Sequence, residues 1–190
     1  MFDPCCKEIV SYLVFNGLRY RLSLATCLEL RQSADATLNV GIYSPSLVEA
    51  ALDAEERLDR IGIAFEKALG ELGLTLPNSQ EECIWALLRH YIRQIADRDV
   101  EPITGLKGIM EIYWGCQLFE QSKDYVGDSH DIHKLIGAYW EYDEILERSQ
   151  NATYCELPQK AVSALNIDVI EDCRAWLSKH PKHFDTSKKL

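Results

Sequence analysis

From Ser44 onward, the apolar residues Leu47, Ala51, Ala54, Leu58, Ile61, Phe65, Ala68 and Leu72 recur by alternating fours and threes. A stripe with that period is one buried face of a helix, and no strand can present it on a single side. The sequence also supplies both ends. Ser44 is an N-cap type, Pro45 suits the first helical position, and Glu49, Asp53, Glu55 and Glu56 sit early, where the helix dipole favours acids. Gly73 is a stop, and Asp53 with Arg57 and Glu56 with Arg60 add pairs four apart. The same reading continues down the chain. Asn78 opens a second helix with the stripe Ile84, Leu88, Tyr91 and Ile95, which leaves at Asp97 to Asp99. Pro102 opens a third, with Ile103, Leu106, Met110 and Tyr113, which ends near Gly115; residues 117–126 fit helix and loop equally. Gly127, Asp128 and Ser129 start a fourth that runs to about Arg148. Two shorter helices are expected over 157–165 and 168–179, the second with Asp168 and Glu171 at capping-box spacing and Pro181 as its stop.

The first 43 residues read differently. Leu18, Tyr20, Leu22, Leu24, Thr26, Leu28 and Leu30 alternate with Arg19, Arg21, Ser23, Glu29 and Arg31, which is the pattern of a half-buried strand. Asn16-Gly17 can supply the two positive φ angles of a type I′ turn, so 8–15 should fold back as the partner strand. That register pairs Phe15 with Leu18, Leu13 with Tyr20 and Ser11 with Leu22. A third short strand is expected at Leu38, Val40 and Ile42. The fold class expected is therefore α+β and predominantly helical: an N-terminal antiparallel hairpin or three-stranded meander packed on an array of about six helices. No internal repeat or linker divides residues 1–190, so one domain is expected, β-rich over 1–43, helical over 44–180, with a frayed tail over 181–190.

Charge narrows the functional classes. The net charge is −10, and residues 44–150 carry all the excess, with twenty-one acids against ten bases. A surface of that sign repels nucleic acid and anionic membrane and favours a cationic protein partner. No apolar run approaches the roughly 20 residues of a membrane-spanning helix. The opening residues Asp3, Pro4, Cys5 and Cys6 do not resemble an export signal, so a soluble cytoplasmic protein is expected. The seven cysteines have no paired spacing, and an odd number of unpaired thiols suits a reducing compartment. Cys83 and Cys173 lie among apolar residues on expected helices, where cysteine behaves as a small hydrophobe.

The segment from Tyr125 to Glu147 concentrates the chemistry. Ile132, Leu135, Ile136, Tyr139 and Leu146 form its apolar stripe, while His130, His133, Gly137, Glu141 and Glu144 take the polar side. His130 and His133 are three apart, a spacing that can bring two imidazoles near one metal, but no full ligand set accompanies them and no metal or other cofactor is expected. His180 and His183 share the spacing and read as helix-terminal polar residues. Asp143 falls within the apolar stripe, where a carboxylate needs a partner, and is expected to be a buried polar anchor. Asp128, His130, Asp131, Trp140, Glu141 and Glu144 are the candidate partner-binding residues, with Trp140 as the aromatic anchor.

Glycine-rich phosphate loops, G-x-S-x-G, H-E-x-x-H and paired C-x-x-C motifs are all missing. In size and composition the chain is similar to the bacterial immunity proteins that neutralise cationic toxins, a likeness that no matched motif carries. The expectation is a non-enzymatic, acidic, immunity- or inhibitor-like protein that binds a basic protein. The alternative is a hydrolase-like enzyme using Asp143 or a metal held by His130 and His133. The sequence does not set the oligomeric state.

Overall fold

The computed structural model describes residues 4–52, 57–121, 124–125, 127–150 and 156–181. Eight α-helices occur among them: α1 Pro4–Arg21, α2 Cys27–Asn39, α3 Pro45–Leu52, α4 Leu58–Glu71, α5 Gln80–Ala96, α6 Pro102–Gly115, α7 His133–Gln150 and α8 Glu156–Lys179. Two short 3₁₀ turns, Leu118–Gln121 and Asp128–His130, complete the elements. No strand occurs among the described residues, so the expected hairpin or meander is absent and the class is all-α, not α+β.

The N-terminal correction has a physical cause. Val10, Leu13, Val14, Leu18 and Leu22 are all buried, and their spacing is helical. Asn16-Gly17 is not a turn but lies inside α1. The Asn16 side chain is buried and its amide donates to the Tyr12 carbonyl one turn back, at 3.1 Å. Gly17 is there for closeness: a Cβ on it would stand 2.7 Å from Leu69 Cδ1 and 3.0 Å from Leu76 Cδ1. The alternation over 18–30 comes from a helix end followed by a helix start. Leu22 closes α1, Ser23 takes φ +58°, and the Leu24 N–H reaches back to the Arg19 carbonyl at 2.8 Å. Thr26 then caps α2 in a reciprocal box with Glu29. Leu28, expected on the core face, is 60% exposed. Leu38 belongs to α2, and Val40 and Ile42 belong to its exit, where Gly41 has φ +81°.

The helices read from the longer period stand with altered limits. Ser44 accepts the Leu47 N–H at 3.1 Å and caps α3. The expected single helix over 44–72 is described as α3 and α4; Asp53, Ala54, Glu55 and Glu56 lie outside the described residues. Gly73, at φ +72°, closes α4 by sending the Leu74 N–H to the Leu69 carbonyl at 2.8 Å. Ser79, not Asn78, caps α5, accepting the Glu82 N–H at 3.1 Å. The two short helices expected near the C-terminus are the single α8, and the tail beyond Pro181 lies outside the described residues.

The chain divides into two compact units, one reaching to Leu87 and one from Leu88, a division that falls within α5. In the first, α3 packs on α2 and α4, and α1 packs on both α2 and α4. Leu13, Leu30, Leu47, Ile61 and Phe65 are fully enclosed there. In the second, α7 packs on α6 and α8, and α6 also meets α8. Its core includes Ile92, Ile95, Leu106, Ile109, Ile132 and Cys173.

Candidate interaction surface

The segment singled out in the sequence lies in the second unit. Its helix does not start at Gly127. The chain makes a 3₁₀ turn through Asp128–His130, Asp131 takes φ +58°, and only then does α7 begin at His133. Gly127 has φ +79° and accepts the Ile132 N–H at 3.0 Å, which closes this loop beneath the helix start.

That turn sends the candidate residues in different directions. His130 goes inward and is 1% exposed, with Nδ1 3.0 Å from Ser129 Oγ and its carbonyl accepting the Trp176 indole N–H at 3.0 Å. Asp131 is held at the end of α8: Lys179 Nζ lies 2.5 Å and His180 Nε2 3.2 Å from its Oδ2. Burial pushes the Asp131 carboxyl up, but the hydrogen bonds and charges of Lys179 and His180 outweigh it and hold the group below its ordinary range. His133 Nδ1 is 3.9 Å from Asp131 Oδ1, and its ring meets Tyr125 edge to face. Among the described residues no group of three or more His, Cys, Asp or Glu is placed to hold a metal ion. The side chain of Asp128, and His183, lie outside the described residues.

Along α7, Ile132, Leu135, Ile136 and Tyr142 make the buried stripe, and Leu146 is exposed. Asp143, expected inside that stripe, is half-buried, and Tyr142 beside it is the enclosed polar group. The Tyr142 hydroxyl donates to Asn166 Oδ1 of α8. Burial, with Glu101 and Glu141 adding to it, pushes this phenol up to about 12. Gly137, Trp140, Glu141 and Glu144 are exposed, and their spacing of three and four puts them on one face. Trp140 is 50% exposed and braced edge to face by Tyr139 at 5.5 Å. The structure thus groups Trp140, Glu141 and Glu144 and separates His130 and Asp131 from them.

Two further features carried no signal in the sequence. Trp114 and Phe119 form a half-exposed aromatic pair at 5.5 Å, brought together where Gln117 turns at φ +54°. In the first unit a cleft of about 560 Å³ is lined in part by Arg21, Glu66 and Glu82. Arg21 and Glu66 are 45 positions apart, so no local spacing announces them. No helix among the described residues is long and apolar enough to cross a membrane. Comparisons with known protein families, with curated proteins and with solved structures return no match.

Proposed function

We propose that this chain is a non-enzymatic, inhibitor- or immunity-like interaction protein whose exposed α7 face binds a cationic protein in the cytoplasm. The observation that carries the reading is the juxtaposition of a half-exposed Trp140 with Glu141 and Glu144 on one helix face. A rigid aromatic with acidic neighbours suits a basic partner: the ring supplies area and a face for cation–π contact, and the carboxylates steer encounter. The net charge of −10 supports the sign of the partner. The free thiols Cys6, Cys83 and Cys173 support a reducing compartment, and burial pushes the Cys173 thiol up to about 12, which leaves it inert.

Affinity capture from cell lysate with the intact chain tests this reading when it is repeated with a Trp140→Ala, Glu141→Lys, Glu144→Lys triple variant. A basic protein should be retained at about 50 mM salt, released by about 500 mM, and lost with the variant, because screening removes the steering attraction. An Asp99→Lys control on another exposed acid should retain it. Equal capture by the triple variant and the control would refute the reading.

A further inference from the structure

Trp114 and Phe119, 51% and 42% exposed, make a contiguous aromatic surface in the second unit. The surface is braced from below. Tyr113 is buried and meets both rings edge to face, at 5.0 Å and 6.2 Å, so the exposed pair stands on an enclosed third ring. The reversal at Gln117 brings the short 118–121 turn back and carries Phe119 onto Trp114. Rings held in this way lose little freedom when a partner covers them.

Three features around the pair attract a cation. Glu111, three residues before Trp114, neighbours it on the face of α6, and Glu120 follows Phe119; both are exposed. Trp114 also lies in the last turn of α6, where the helix dipole is negative and no basic residue of that turn offsets it. Lys107, the base on the same face, is seven residues earlier, about 10 Å along the axis. The faces of the rings supply the third attraction.

Ring geometry selects the cation. The two centroids are 5.5 Å apart at 48°, so the rings touch and leave no gap to enclose a tetrahedral ammonium. A flat guanidinium needs only an open ring face on which to stack, and its fork matches a carboxylate. One guanidinium on half-exposed rings binds weakly by itself, so it arrives on a chain that adds further contacts. We infer that the Trp114–Phe119 surface receives an arginine side chain of a polypeptide partner, stacked on the rings and paired with Glu120. This surface is separate from the α7 face and does not rest on the role proposed there.

Amide and indole chemical-shift titration of the full-length protein tests this with a blocked glycine–arginine pentapeptide and its counterparts carrying lysine or citrulline, the uncharged analogue of arginine. The arginine peptide should give saturable shifts on residues 111–121 and on the Trp114 indole. The lysine peptide should bind there at least about threefold more weakly, and the citrulline peptide should leave those signals unmoved. Trp114→Leu should weaken binding about fivefold, and Glu120→Gln, at an exposed position that leaves the fold intact, about threefold. The Trp140→Ala, Glu141→Lys, Glu144→Lys triple variant should keep the 111–121 shifts, which separates this surface from the α7 face. Equal shifts with the lysine or citrulline peptide, full binding by Glu120→Gln and folded Trp114→Leu, or loss of the 111–121 shifts in the triple variant would overturn the inference.

Discussion

Two residues show how much of this fold rests on contacts that a one-dimensional pattern does not carry. Gly62 lies on α4 where the Tyr20 ring of α1 crosses, and a Cβ there would stand 1.9 Å from Tyr20 Cζ. Gly70, two turns on, faces open space. Gly62→Ala should therefore cost about 1–3 kcal/mol through overpacking, while Gly70→Ala should gain up to about 1 kcal/mol from helix propensity. Thermal melts of the two variants would show shifts of opposite sign; equal shifts would mean that α1 does not cross α4 at Gly62. Tyr142 and Asp143 make a second pair. Tyr142→Phe removes the donor to Asn166 and should cost about 1 kcal/mol, whereas Asp143→Ala, at a half-buried position, should stay within about 0.5 kcal/mol. A larger loss for Asp143→Ala in denaturant unfolding would restore the buried carboxylate that the sequence suggests. The misplacement is one step on the helix: the stripe passes through Tyr142, so Asp143 falls at its edge.

At the scale of elements, helix ends decided what was legible. α2 and α4 close on Gly41 and Gly73, both at positive φ, and Gly73 is readable as a stop. α1, α5 and α6 are followed by Ser23, Arg98 and Gln117 in the same left-handed conformation, and none of these residue types announces it. Without a visible stop at Ser23, the leucines of two successive helices merged into a false alternation. The signal that would have separated them is Thr26 with Glu29 at capping-box spacing. Thr26→Ala should cost about 1 kcal/mol. Glu29 also gives this cap a pH dependence. Burial raises its carboxyl, but hydrogen bonds from Thr26 and the Arg19 guanidinium outweigh that and hold it below its ordinary 4.5. A depressed folded-state pKa adds stability above the unfolded value, and that stability is lost as pH falls through the folded one. Stability should thus decline below about pH 4.5 in the wild type and less steeply in Glu29→Gln, as measured by urea midpoints across pH 3–6. Parallel slopes would contradict the cap.

For the whole molecule, the 3.6-residue period and the charge were legible, since both are properties of the chain alone. The candidate surface was legible in part. The wheel put Glu141 and Glu144 on the polar side and Trp140 off the stripe, and they are exposed together on α7. It could not foresee that Asp131 would turn at φ +58°, burying His130 and tying Asp131 to Lys179 and His180. The aromatic pair Trp114 and Phe119 and the Arg21–Glu66 cleft depend on chain reversals and long separations, which leave no local pattern. The role proposed for the α7 face is to meet a cationic protein. Amide hydrogen exchange, comparing the free chain with its complex with the captured basic partner, tests it most directly. Exchange should slow over residues 137–147 in the complex, and the triple variant should lose that protection; unchanged exchange there, with protection elsewhere on the chain, would refute the proposed role.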